Sequence, residues 1–202
     1  EVATGLGATY ADARLEHSLH ENLMVRNGKP EGISSMESEG LGVRVIVNGA
    51  WGFAASDDLS KAGLEATAER AIAIAKASAL AKSKPVELAR LAPEVAEWVS
   101  PCQQDPFAVP LEAKLALLLE ADKLMQAAGA SLTEGELDFL RIEKHFASSE
   151  GASIAQRITH SGGGLIATAI EGDELQTRSY PAAFGGDIAS AGYEFVEAMD
   201  LT

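Results

Sequence analysis

The sequence predicts an α+β fold: antiparallel β-meanders with two main helices packed on one face, plus a short C-terminal helix. Three observations carry this. Alternating apolar patterns in the first sixty residues are punctuated by Asn27-Gly28 and Asn48-Gly49. Such pairs supply the two positive φ angles of a type I′ hairpin turn. The apolar period then lengthens to 3.6 residues over two separate stretches. After Gly135 the alternation returns.

The elements follow in order. Tyr10 to Glu16 alternates around Ala11, Ala13 and Leu15, and His20 to Arg26 continues with Leu23 and Val25. A weaker strand is expected over Gly32 to Ser38. Leu41 to Val47 places Val43, Val45 and Val47 on one face, and Ala50 to Ala54 follows the second turn. This reads as a meander of four or five strands. Ser56, Asp57 and Asp58 are candidates to cap the first helix. That helix runs from Leu59 to about Ala81 with Leu64, Ala68, Ala71, Ile72, Ala75 and Ala79 on its apolar stripe. Five prolines between Pro85 and Pro110 punctuate a mostly irregular connection. Pro110 suits the first turn of a second helix, Leu111 to Ala128, with Gly129 beyond its end. Leu111, Leu115, Leu118, Leu119 and Met125 form its apolar stripe. Further strands are expected around Leu140 to Phe146, Ile154 to His160, Leu165 to Ile170 and Leu175 to Tyr180. Turns are read at Ser149 to Gly151, Gly162 to Gly164 and Glu171 to Asp173. A last helical pattern spans Tyr193 to Met199. Neighbouring strands on short turns pair antiparallel, so residues 1–202 read as a single domain.

Composition narrows the functions. The 202 residues carry 16 Lys and Arg against 30 Asp and Glu, a net charge of −14. Phosphate backbones and anionic lipid surfaces attract basic patches, so neither direct nucleic-acid binding nor membrane binding is expected. One cysteine, Cys102, excludes an internal disulfide and a four-cysteine zinc site. No apolar run is long enough for a transmembrane helix. Glu1 to Gly5 has neither the basic nor the apolar region of a secretory signal, and a cytoplasmic location is expected.

No catalytic set assembles from the residues themselves. His17 and His20 are three apart in a strand-like segment, where they point to opposite faces. His145 and His160 sit on separate strands and read as sheet histidines. Cys102 has no sequence neighbour that would lower its pKa and reads as an inert loop thiol. Ser161-Gly162-Gly163-Gly164 lacks the Lys-Ser/Thr of a phosphate loop and reads as a hairpin turn. Glu194 and Glu197 lie one turn apart without further metal-ligating partners. Trp51 and Phe53 read as core. An exposed sheet edge, able to take an extended peptide as an added strand, is the remaining general option.

The wording of several segments is more specific. Tyr10-Ala11-Asp12-Ala13-Arg14, Val25-Arg26-Asn27-Gly28-Lys29, Gly40-Leu41-Gly42-Val43-Arg44-Val45 and Trp51-Gly52-Phe53-Ala54 occur in order, followed by Asp58-Leu59-Ser60. Lys144 to Gly151, Gln176-Thr177-Arg178-Ser179-Tyr180-Pro181 and Gly192-Tyr193-Glu194 come later. Together they resemble the N-terminal domain of the TldD/PmbA family of zinc-dependent peptidases, also called modulators of DNA gyrase. The Gly-Val-Arg-Val and Gly-Phe-Ala wording leans to the TldD branch.

The resemblance implies a two-domain protein with a peptide-binding cleft, a homo- or heterodimer of family subunits, and a zinc site. The family's metal motif, H-E-x-x-x-H, puts two imidazoles on one helix face beside a general base. It is not present in this sequence. Zinc is therefore implied for a C-terminal domain outside this chain, and no catalytic or metal residue carries over. The chain is expected to be the non-catalytic N-terminal half, supplying part of the cleft wall. Arg178 and Tyr180 are the candidates for contact with the peptide substrate or with the protein's own C-terminal domain. The alternative is a free-standing protein-binding module, such as a modulator of DNA gyrase acting through protein contacts.

Overall fold

The fold is described from a computed structural model covering residues 2–89, 91–183 and 185–202. A short helix α1 (Val2–Gly5) precedes three strands: β1 (Tyr10–Arg26), β2 (Lys29–Val47) and β3 (Ala50–Ser56). Helix α2 (Lys61–Ala81) and strand β4 (Val95–Val99) follow. A 3-10 turn (Pro106–Ala108) leads into α3 (Leu111–Ala127). The second strand set is β5 (Leu132–Ser148), β6 (Ser153–Glu171), β7 (Glu174–Tyr180) and β8 (Asp187–Ala189), closed by α4 (Glu194–Ala198). The strands pair in the order β3-β2-β1-β5-β6-β4, with β7 and β8 also on β6. The class is α+β.

Both Asn-Gly turns form as their sequence requires. Asn27 and Gly28 have φ of 46° and 75°, and Asn48 and Gly49 have 50° and 71°. These are the left-handed pairs of type I′ turns. Between them the sequence reading divides too finely. The two segments read within 10–26 form one strand, as do those read within 29–47. Neither junction carries a turn-forming pair, so nothing stops the extended backbone.

Two further expectations are corrected. Gly162 to Gly164 is not a turn but the middle of β6. A Cβ on Gly162 would lie 2.3 Å from the Asp187 carbonyl oxygen, and one on Gly164 2.1 Å from that of Gly185. Glycine is needed there for close backbone approach. The proline-rich connection also contains a strand: β4 runs parallel to β6, from Val95 opposite Ser153 to Val99 opposite Arg157.

The chain divides into two compact units. The first comprises Glu1–His17, Ser38–Val99 and Ile142–Arg157, and the second Ser18–Glu37, Ser100–Arg141 and Ile158–Thr202. In the first, α2 covers Val43, Val45, Val47 and Ala54 with Ala68, Ala71, Ile72 and Ala75. The helix lies so close to β3 that a Cβ on Gly52 would stand 2.0 Å from the Ala71 carbonyl oxygen. Its cap is Ser60, which accepts from the Gly63 N–H at 3.1 Å; Ser56 and Asp58 brace the preceding turn instead. Leu64, placed on the apolar stripe by its spacing, is exposed, and Gly63 and Thr67 are buried in its stead. Trp51 and Phe53 are not core either, because Ala50, Gly52 and Ala54 take the inward positions of β3. Trp51 lies under the Arg44 guanidinium, 4.7 Å from the ring centre.

In the second unit, α3 and α4 pack over Leu23, Val25, Leu137, Phe139 and Leu165. The buried face of α3 carries two charged residues, Lys114 and Asp122, beside Leu118 and Ala121. The Lys114 ammonium pairs with Glu21 and lies 4.6 Å from the centre of the Phe139 ring. Asp122 accepts from Thr133 Oγ1 and Gln126 Nε2, both at 2.6 Å. Buried charges survive only when partnered in this way.

Candidate functional site

Three of the segments that carry the family wording, Val25 to Lys29, Gln176 to Pro181 and Gly192 to Glu194, lie in the second unit. Gly192, Tyr193 and Glu194 open α4, and each has a local physical task. A Cβ on Gly192 would lie 2.3 Å from the Gln104 carbonyl oxygen, so the close approach requires glycine. Tyr193 donates its backbone N–H to that oxygen at 2.8 Å and packs its ring 5.9 Å from Phe139. The Glu194 carboxylate accepts from the backbone N–H groups of Gln103 at 3.1 Å, Gln104 at 3.0 Å and Gly192 at 2.9 Å. Burial pushes the Glu194 carboxyl up, but the converging N–H donors outweigh it and hold its pKa at about 2. At neutral pH this carboxylate is therefore an anion that clamps the loop at 102–105 onto α4.

Asp105 starts the 3-10 turn by accepting from the Phe107 N–H at 2.9 Å, and it pairs with Arg141. Arg141 in turn stacks 4.9 Å from the centre of the Phe107 ring. Beside this cluster lies an open groove of about 580 Å³. Ala108, Val109, Leu117 and Val196 give it an apolar floor, and Glu197 and Asp200 an acidic rim. Cys102, at the start of the clamped loop, donates weakly to the Gln104 carbonyl at 3.7 Å. Burial and the carboxylates of Glu194 and Asp105 push its thiol up, away from the reactive thiolate.

Arg178 and Tyr180 are two apart on β7 and so share a face. Arg178 pairs in register with Ala167 and Tyr180 with Leu165. The exposed Arg178 guanidinium donates to the Thr177 carbonyl oxygen at 2.8 Å. The half-exposed Tyr180 hydroxyl donates to the Met199 carbonyl oxygen at 2.7 Å, tying β7 to the end of α4. Tyr180 thus has a structural bond, whereas Arg178 presents its charge to solvent.

Two of the histidines find ordinary partners. His20 Nε2 is 2.7 Å from Asp138 Oδ2, and His160 Nδ1 is 3.2 Å from the Ser190 hydroxyl. The sequence does contain one His-Glu pair, His20-Glu21, but Val25 stands where the metal motif needs its second histidine. On β1 these neighbours point to opposite faces, His20 toward Asp138 and Glu21 toward Lys114. Among the described residues, no group of three or more His, Cys, Asp or Glu side chains could hold a metal ion. No helix there is long and apolar enough to cross a membrane. Spacing missed the Arg141, Asp105 and Phe107 cluster. Its one visible signal was Asp105-Pro106, a capping residue followed by proline at a helix start.

Comparison with known proteins gives the family. Residues 11–75 match the PmbA/TldA metallopeptidase domain 1, and residues 104–200 match the PmbA/TldA metallopeptidase central domain. The chain belongs to the TldD/PmbA metallopeptidase family. A metalloprotease of Methanothermobacter thermautotrophicus is 27% identical over 192 residues, covering 95% of this chain and 40% of that protein. One of Methanocaldococcus jannaschii is 28% identical over 153 residues, 74% of this chain and 33% of that protein. The chain thus spans two fifths or less of the curated relatives it matches. The fold recurs in TldE of Thermococcus kodakarensis, with a TM-score of 0.69 at 15% identity over 93% of this chain and 41% of that one. It recurs also in a Bacteroides thetaiotaomicron protein described as a modulator of DNA gyrase, with a TM-score of 0.71 at 14% identity, covering 94% and 43%.

Proposed function

We propose that this TldD/PmbA-family chain is the non-catalytic N-terminal part of a TldD-like zinc-dependent peptidase. Its role is to wall the cleft that holds an extended peptide and to associate with a second family subunit. Zinc and the water-activating base belong to a C-terminal domain outside this chain. The observation that carries the reading is the ordered match to the first and central family domains, in a chain that spans 40% of a metalloprotease relative. The sequence itself contains no H-E-x-x-x-H. The exposed guanidinium of Arg178 suits a peptide carboxylate or backbone carbonyl, and Tyr180 holds β7 in place beside it. The site of action is the cytoplasm.

The experiment is to read the source gene beyond the codon for Thr202. An open frame encoding H-E-x-x-x-H supports the peptidase. A stop codon there removes it and leaves the second reading, a free-standing protein-binding module that modulates a partner such as DNA gyrase. The fold shared with a protein described as a gyrase modulator favours that alternative next.

A further inference from the structure

The groove beside the Glu194 clamp lies between two helices. All its lining residues belong to the second unit. Ala113 and Leu117, one turn apart on α3, form one wall. Val196 and Glu197 of α4, with Asp200 just past its end, form the other. Leu124, two turns beyond Leu117, is 45% exposed and prolongs the α3 face. At 1.5 Å per residue the stripe from Ala113 to Leu124 is about 16 Å long, or roughly three helical turns. No strand borders the groove. An extended peptide laid there would find no edge to bond and would bury backbone N–H and C=O groups unpaired. A helix arrives with its backbone bonds already made.

Charge selects the kind of helix. No Lys or Arg lines the groove. Asp105 has Arg141 as its partner. Glu197 and Asp200 are exposed and have no cationic partner among the described residues. They stand three apart in sequence, so a Lys or Arg pair one helical turn apart spans a similar distance. We propose that the groove between α3 and α4 docks an amphipathic helix of a partner protein. Its apolar face lies on Val109 and Leu117, and its lysine or arginine side chains meet Glu197 and Asp200. The small side chain of Ala113 lets the incoming helix approach closely. The net charge of −14 draws such a cationic partner in from a distance. The groove holds this helix whether or not the chain serves a peptidase.

The test is fluorescence anisotropy with a labelled synthetic helix of about eighteen residues, long enough to be helical in water. Leucines form one face and lysines flank them. A twin carries glutamate for lysine, and a third peptide carries two prolines in mid-sequence to break the helix. The chain is expected to bind the lysine helix saturably, and the other two at least about tenfold more weakly. Ala113→Glu should weaken the lysine helix about tenfold. Glu197→Lys with Asp200→Lys should do the same and gain the glutamate twin. Glu69→Lys with Glu87→Lys makes the same charge change in the first unit and should leave the affinity within about twofold at physiological salt. Circular dichroism should show each variant folded, since all these positions are exposed. No saturable binding at about 100 μM overturns the proposal. Equal affinity for the glutamate twin or the proline peptide overturns it too, as does an equal loss in the first-unit variant. Binding by this chain but not by the product of the whole source gene means that the rest of the protein covers the groove. That result overturns the partner and leaves the peptidase reading standing.

Discussion

Glu194 is a carboxylate whose environment can be read as a pH dependence. Its pKa is held at about 2, below the ordinary 4.5. A depressed carboxyl stabilises the fold fully above its unfolded value and loses that contribution as pH falls toward its folded value. The unmodified chain is therefore expected to lose melting temperature between pH 4.5 and 2. Glu194→Gln, less stable at pH 7 by about 1–2 kcal/mol, should show a flatter profile over that window. Equal slopes in thermal melts would contradict the clamp. Lys114 gives a second residue-scale expectation. Glu21→Gln leaves a buried ammonium unpaired and should cost about 3 kcal/mol in urea unfolding, whereas Lys114→Met should be nearly neutral. A mild Glu21→Gln would mean that the Phe139 face alone suffices for the ammonium.

At the scale of the element, glycine position decides what packs. Gly52→Ala forces a Cβ into the backbone of α2, where the Ala71 carbonyl and Ala75 stand within 3 Å. The expected loss is about 3 kcal/mol, read by denaturant unfolding. Gly172→Ala, in the open turn before β7 with φ of 59°, meets nothing within 4 Å and should cost about 1 kcal/mol. This contrast also explains what was legible in the sequence. Asn27-Gly28 and Asn48-Gly49 announce their turns because the chemistry is local. Gly162 and Gly164 answer instead to residues 185–188, which spacing does not connect to them. Strand β4 was hidden for a related reason. Its partner β6 lies more than fifty residues on, and its five exposed residues show no buried alternation. Nothing in α3 alone announces that Lys114 and Asp122 are buried. Their partners Glu21 and Thr133 come from other elements.

At the scale of the molecule, the candidate site was legible only in part. The segments around Arg178 and Glu194 were visible as family wording, and the structure supplies what each does: a charge on β7 and a clamp on the loop at 102–105. The groove beside that clamp was not legible, because its floor comes from residues 108–117 and 196. If Arg178 contacts peptide, Arg178→Ala should weaken binding of an unstructured peptide by the full protein about tenfold while leaving its melting temperature within a degree or two. An unchanged affinity in fluorescence anisotropy would remove Arg178 from the cleft.

The proposed role, service to a zinc peptidase without its chemistry, has a direct readout. The most direct measurement is hydrolysis of an unstructured peptide by this chain alone and by the product of the whole source gene, each with and without a zinc chelator. The chain alone is expected to be inert, and the whole product to cleave until the chelator abolishes it. Cleavage by the chain alone, indifferent to the chelator, would contradict it.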